Sequence, residues 1–181
     1  MQNKKKHYVC NNITNQHIIK MAVQITKHIG GTYTLYSKEK VSAKIDNVWD
    51  FFSQPKNLNE LTPSDLNFKI TSGNKKDFYD GKIITYRIKL LYFFQFNWTT
   101  EITKVDQNIC FIDKQLFGPY KLWHHEHHFE DNNDGTITII DKVKYKLHFH
   151  PISRIIHKIF IRKKLFQIFN YRNRKMREIF S

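Results

Sequence analysis

The chain has 181 residues, a size that defaults to one domain with a sizeable core, and its 40% hydrophobic and 15% aromatic content excludes a disordered chain. A formal net charge of +14 attracts polyanions such as nucleic acid or anionic lipid head groups. Two cysteines, Cys10 and Cys110, give neither a disulfide framework nor a CxxC metal motif, and no apolar run approaches the ~20 residues of a membrane span, so a soluble cytoplasmic protein is expected.

Residues 1–20 show no clear periodicity and no continuous apolar stretch of a secretory signal, so they read as a flexible extension before a domain spanning 21–181. From "TYTLYSKEKVSAKI" onward, alternation predicts a first strand. In "DNVWDFFSQPKNLNELTP" the period changes: Asp46 or Asn47 caps a helix, Val48, Trp49 and Phe52 share one face, and Pro55 ends it. Leu58 and Leu61 suit a second short helix stopped before Pro63. About six strands with tight links follow, beginning with "LNFKI" and a turn at Ser72–Asn74 and ending with "TITIIDKVKYKLHF", the mark of an antiparallel meander. The last 30 residues start with Pro151 at a first-turn position. Ile152, Ile155, Ile156, Ile159, Phe160, Phe166 and Phe169 then follow helical spacing, predicting one amphipathic helix of roughly 40 Å. Its other positions carry Arg154, Lys158, Arg162, Lys163, Lys164, Arg172, Arg174, Lys175 and Arg177, a solvated basic face or a surface for anionic membrane.

The segments "VWDFFSQPKNLNELTP" (48–63), "FIDKQLFGPYKLWHHEHHFE" (111–130) and "GTITIIDKVKYKL" (135–147), with "FNYRNRKM" (169–176), resemble the SRPBCC (START/Bet v 1-like) superfamily, and within it a small bacterial ligand-binding subgroup of unknown function. The resemblance covers the chain from about Met21 to its end. It implies an α+β helix-grip fold, a curved antiparallel sheet wrapped around a long C-terminal helix with two short helices after the first strand. It also implies a cavity for a hydrophobic or amphipathic small molecule, lipid-like, polyketide-like or isoprenoid. By pattern and resemblance together, Trp49, Phe52, Tyr86, Ile88, Trp98, Phe111, Trp123, Tyr145, Ile159 and Phe160 are expected to line it, unless these aromatics simply fill a wide core.

The stretch "KLWHHEHHFE" packs four histidines into five positions. On a strand the side chains alternate, so Trp123, His125, His127 and Phe129 share an inward face, while His124, Glu126, His128 and Glu130 meet water. A hairpin closed by "DNNDG" and centred on Asn133 places His125 opposite Asp141, with the register open by one or two residues. Asp141 is the lone acid in an apolar row and needs a partner, for which His125 or His127 is nearest. A metal needs three or four ligands around one point. His125, His127 and Asp141 are candidates, while His148 and His150, another HxH pair, should face the opposite way and lie far along the strand, and no metal or other cofactor is assigned. Asp113 and Gln115 either extend the internal polar network or face a turn and water. A binder or carrier is expected rather than an enzyme, with His125, His127 and Asp141 as polar residues lining its cavity; the alternative is a cyclase- or hydrolase-type enzyme using His125, His127, Asp141 and Tyr145 as polar or acid–base groups. No nucleic-acid motif accompanies the charge.

Overall fold

The computed structural model describes residues 23–73, 75, 77–91, 94–148 and 155–181. The expected extension 1–20, Asn74 of the predicted turn, and the helix start at Pro151 with Ile152 and Arg154 lie outside them. Eight strands form one sheet: β1 Val23–Lys27, β2 Thr32–Ser42, β3 Lys69–Ser72, β4 Ile83–Leu91, β5 Phe94–Asp106, β6 Cys110–Phe117, β7 Leu122–Asp131 and β8 Thr136–Lys146. Their order is β1-β2-β8-β7-β6-β5-β4-β3, antiparallel throughout. Sequence-adjacent strands pair everywhere except at β2–β8, the contact that returns the end of the meander to its start.

Alternation in β2 buries Tyr33, Leu35, Ser37 and Val41, and the same period in β8 buries Ile137, Ile139, Asp141, Val143 and Tyr145. Strand β1 precedes the strand read first in the sequence, because five residues pairing along β2 carry too short a pattern to stand out. After β2, helix α1 (Ile45–Phe52) buries Val48 and Trp49. Its cap is Lys44 without a side-chain hydrogen bond, not Asp46 or Asn47; Asp46 sits in the first turn, where its charge favours the helix dipole. The second short helix is instead two 3-10 turns, Pro55–Asn59 and Ser64–Leu66, with Pro55 opening the first.

The C-terminal helix begins with a π turn, His157–Ile161, and continues as α2, Arg162–Ile179. A π turn takes more residues per revolution than an α turn, so it rotates the preceding stretch by roughly 90° relative to an unbroken α-helix. The buried face is therefore His157, Ile161, Leu165, Phe169, Arg172, Asn173 and Met176. Ile155, Ile159 and Phe160 are 63%, 55% and 45% exposed, and Ile156 is exposed as well, so this part of the stripe read from the sequence looks outward, while its member Phe169 is buried. Cys110 is fully buried and disulfide-bonded, a single bond that the sequence reading did not foresee. Among the described residues no helix is long and apolar enough to cross a membrane.

Candidate ligand cavity and its buried polar cluster

Between the concave side of the sheet, α1, the 3-10 turns and α2 lies a cavity of about 1160 Å³, counting the part open to solvent. Its wall is mainly apolar. Phe52, Tyr86, Ile88, Trp98, Phe111, Trp123, His125 and His127 reach it, as the sequence reading expected. Leu61, Leu66, Tyr120, Leu165, Phe169 and Arg172 reach it as well, and were not foreseen.

Five expected lining residues sit elsewhere. Trp49 is buried one layer behind, with edge contacts to Phe78, Phe111 and Phe129 at ring distances of 6.3, 6.3 and 5.9 Å. Tyr145 packs between Tyr33 and Trp123, and its hydroxyl is hydrogen-bonded with His157 Nε2 at 2.8 Å. Asp141 lies behind the histidines rather than on the cavity wall. Ile159 and Phe160 are exposed on the outer helix face.

The acid and the two histidines of the wall gather in one patch built by three neighbouring strands, apart from Gln54, Asn57 and Thr62 near α1. Asp113 on β6 pairs across from His125 on β7, and His127 pairs across from Asp141 on β8. The β7–β8 register is thus two residues from the one centred on Asn133. The turn closes through the bond from Asn132 N–H to Thr136 C=O, and Asp131 and Asp134 each accept a backbone N–H two residues on. A slip of two preserves the face of every side chain, so His125 and His127 still look inward.

The two imidazoles lie against each other, with centroids 3.7 Å apart, and Phe111 stacks on His127 at 4.0 Å. On one side Asp113 Oδ2 lies 3.4 Å from His125 Nδ1 and 3.0 Å from His127 Nε2. On the other, Asp141 Oδ1 lies 2.9 Å from His125 Nε2 and 3.0 Å from His127 Nδ1. Arg172 descends from α2 onto the far side of Asp141, donating from Nε to Oδ2 at 2.8 Å and from Nη2 to Oδ1 at 3.1 Å. Its guanidinium also rests over the Phe52 ring, 5.1 Å from the centroid.

Electrostatics follow from this packing. Burial alone would raise the Asp141 carboxyl, but the Arg172 charge and the hydrogen bonds of the two histidines more than reverse that and hold its pKa well below the usual range. Asp113 is shifted the same way: burial opposes, and His125 and His127 prevail. His125 is pushed down by burial and by its neighbour His127.

Of the two open cases, Asp113 joins the network. Gln115 instead closes the β6–β7 turn, donating to Tyr120 C=O at 2.6 Å and accepting from Tyr120 N–H at 3.3 Å. On the solvent side, Glu126 lies between His124 and His128 at 3.4 and 3.0 Å, and those contacts lower its pKa.

An open antiparallel sheet gripping one long helix around an internal cavity defines the helix-grip class of α+β proteins. No family profile and no curated protein sequence matches the chain. Solved structures do. A ginseng (Panax ginseng) major latex-like protein superposes with a TM-score of 0.61 at 12% identity, covering 84% of this chain and 99% of its own. A Thalictrum norcoclaurine synthase point mutant in complex with a transition-state analogue gives 0.59 at 15% identity, over 88% and 99%. A Mycobacterium smegmatis protein gives 0.59 at 14% identity, over 83% and 95%. The chain shares the fold of these structures, the Bet v 1-like helix-grip fold.

Proposed function

We propose that the protein binds and carries a hydrophobic or amphipathic small molecule, lipid-like, polyketide-like or isoprenoid, in the cavity beneath α2. The observation that carries this reading is the division of the cavity wall: aromatic and aliphatic side chains over most of it, with Asp113, His125, His127 and Arg172 confined to one patch. Such a wall favours an apolar body and fixes a polar end. Trp98 supports it, since its buried indole N–H has no hydrogen-bond partner among the described residues and belongs to the same wall.

Mass spectrometry of an organic extract of the purified protein is expected to find a co-purifying molecule. Protein stripped of it is expected to bind a fluorescent fatty-acid probe, and Leu165→Trp, which narrows the cavity, should weaken probe binding at least about tenfold. Recovery of no molecule together with no probe binding overturns the proposal. A second reading, a small-molecule enzyme, is favoured by the histidines reaching the cavity. It separates from carriage in the same experiment, because a carrier returns its probe chemically unchanged.

Exchange with an anionic bilayer fits this carrier. Phe94, Leu116, Phe117, Ile155, Ile156, Ile159 and Phe160 are exposed where β4 turns into β5, β6 turns towards β7, and β8 leads to the helix. Exposed Lys158, Arg162 and Lys163 alternate with the helical members of that set. Apolar insertion with flanking cations is the pattern of interfacial binding. Flotation with liposomes is expected to rise with anionic lipid content and to fall for Ile159→Glu/Phe160→Glu; flotation indifferent to both sinks the membrane part. The reading includes no nucleic-acid partner, and a cytoplasmic setting remains part of it as a proposal.

A further inference from the structure

We propose that Asp113, His125 and His127 form a divalent transition-metal site on the cavity wall, binding a cation of the zinc class and leaving at least one coordination position open to the cavity. The inference goes beyond ligand carriage and stands whatever the apolar part of the cavity holds.

Three donor atoms, one from each residue, lie within 4.8 Å of one another. Asp113 Oδ2 is 3.0 Å from His127 Nε2 and 3.4 Å from His125 Nδ1. Donors bound to one cation at about 2.1 Å are separated by about 3.0 Å in an octahedron and about 3.4 Å in a tetrahedron. The two spacings from Asp113 already match, and the two histidine nitrogens, within 4.8 Å of each other, must close onto the ion.

The far side of the rings is built as a metal site needs. A ligating histidine keeps its bare nitrogen on the metal when its other nitrogen donates to a carboxylate. Here one oxygen, Asp141 Oδ1, faces the other nitrogen of both rings at 2.9 and 3.0 Å. Arg172 neutralises that carboxylate and its Nη2 also lies 3.3 Å from His127 Nδ1, so Asp141 orients His125 by a hydrogen bond while Asp141 and Arg172 together hold His127.

The hydrogen bonds leave the ring nitrogens unequal: His125 Nε2 bonds Asp141 and His127 Nε2 bonds Asp113, while His127 Nδ1 accepts from Arg172 Nη2 at 3.3 Å. Binding an ion through His127 Nε2 is therefore coupled to release or transfer of that nitrogen's proton.

The sequence alone offered Asp141 as the third ligand and preferred a satisfied His–Asp pairing to a metal. The structure sets Asp141 behind the rings and Asp113 in front. All three ligands reach the cavity wall, so an open position would accept water or the polar end of a bound molecule. Two histidines and one carboxylate suit zinc, cobalt or iron(II).

The test uses full-length protein stripped with a chelator and titrated with Co²⁺ and Zn²⁺. Wild type is expected to take up one equivalent, with visible d–d absorption for cobalt. Asp113→Asn, nearly isosteric, should weaken affinity by more than the roughly 10–100-fold typical of losing an orienting partner. The double variant His124→Gln/His128→Gln, which removes the outer histidines flanking Glu126, should still bind one equivalent. Nitrogen NMR of wild type adds a readout that needs no variant: on adding Zn²⁺, His125 Nδ1 and His127 Nε2 shift while His124 and His128 do not. Absence of uptake by wild type at micromolar metal overturns the site. So does binding that survives Asp113→Asn but is lost with the outer histidines. Neither result touches the carrier proposal, which is read by the extracted molecule and the fluorescent probe.

Discussion

Replacing Arg172 with methionine is expected to lower the unfolding free energy by about 3–5 kcal/mol, the range for removing one partner of a buried ion pair. Methionine keeps most of the apolar stem, so the loss is electrostatic rather than a packing cavity. The Asp141 side chain is 1% exposed and Arg172 6%. Without the guanidinium, a carboxylate sealed from water keeps only the two imidazoles as donors. The companion change Asp141→Asn, made in the Arg172→Met background, removes the stranded charge and should recover a substantial part of the loss. Urea unfolding of wild type, both single variants and the double variant gives the coupling energy directly. A loss below about 1 kcal/mol for Arg172→Met would mean that water reaches Asp141, and the buried-pair account would fail.

Acidification should destabilise the fold through His157 well before the carboxylates titrate. Its ring stacks on Tyr33 with centroids 3.7 Å apart, and Nε2 is hydrogen-bonded with the Tyr145 hydroxyl at 2.8 Å. Burial, then the charges of Arg162 and Lys27, lower its pKa to about 4. The unfolded chain binds its proton near pH 6.5, so between about pH 6.5 and 4 the unfolded state carries more protons and stability falls as the pH falls. Above that window the contribution is fully present; below it both states are protonated and no more is lost. The fall is about 2 kcal/mol, after allowing for the solvent screening that the position retains. Denaturant unfolding of wild type and His157→Gln at pH 7 and 4.5 isolates this share, since the other titrating groups are common to both. Equal pH dependence in the two proteins would rule it out.

How much of this was legible in the sequence varied with how local the signal was. The two rows of β7 were readable, because strand parity depends only on neighbouring residues: Trp123, His125, His127 and Phe129 are buried as expected. The partner of each histidine was not, because turn geometry sets it; the Asx-capped turn moved the register by two and gave Asp141 to His127 across the strands. Asp113 could not be placed, since its partners come from β7, at a register that the turn between β6 and β7 sets. Arg172 was missed outright among nine basic positions. A signal did exist: Leu165, Phe169, Arg172 and Met176 share one helical face, and inward Asp141 demanded a countercharge. The helix face itself was misread because the isoleucine-rich stretch holds more apolar residues than the face that is buried, and a π turn leaves no clear mark in the sequence.

That misreading exposes what the Arg172–Asp141 contact does for the architecture. An amphipathic helix lying across a broad apolar trough could settle at several angles about its own axis with similar burial. Advancing α2 by one residue turns it by about 100°. Tyr171 or Asn173 would then stand over the Asp141 carboxylate, and the sealed acid would have no counterion. Only one azimuth satisfies the acid. The rotational setting of the gripping helix is thus keyed by a single charge pair, while greasy surface decides merely that the helix lies down.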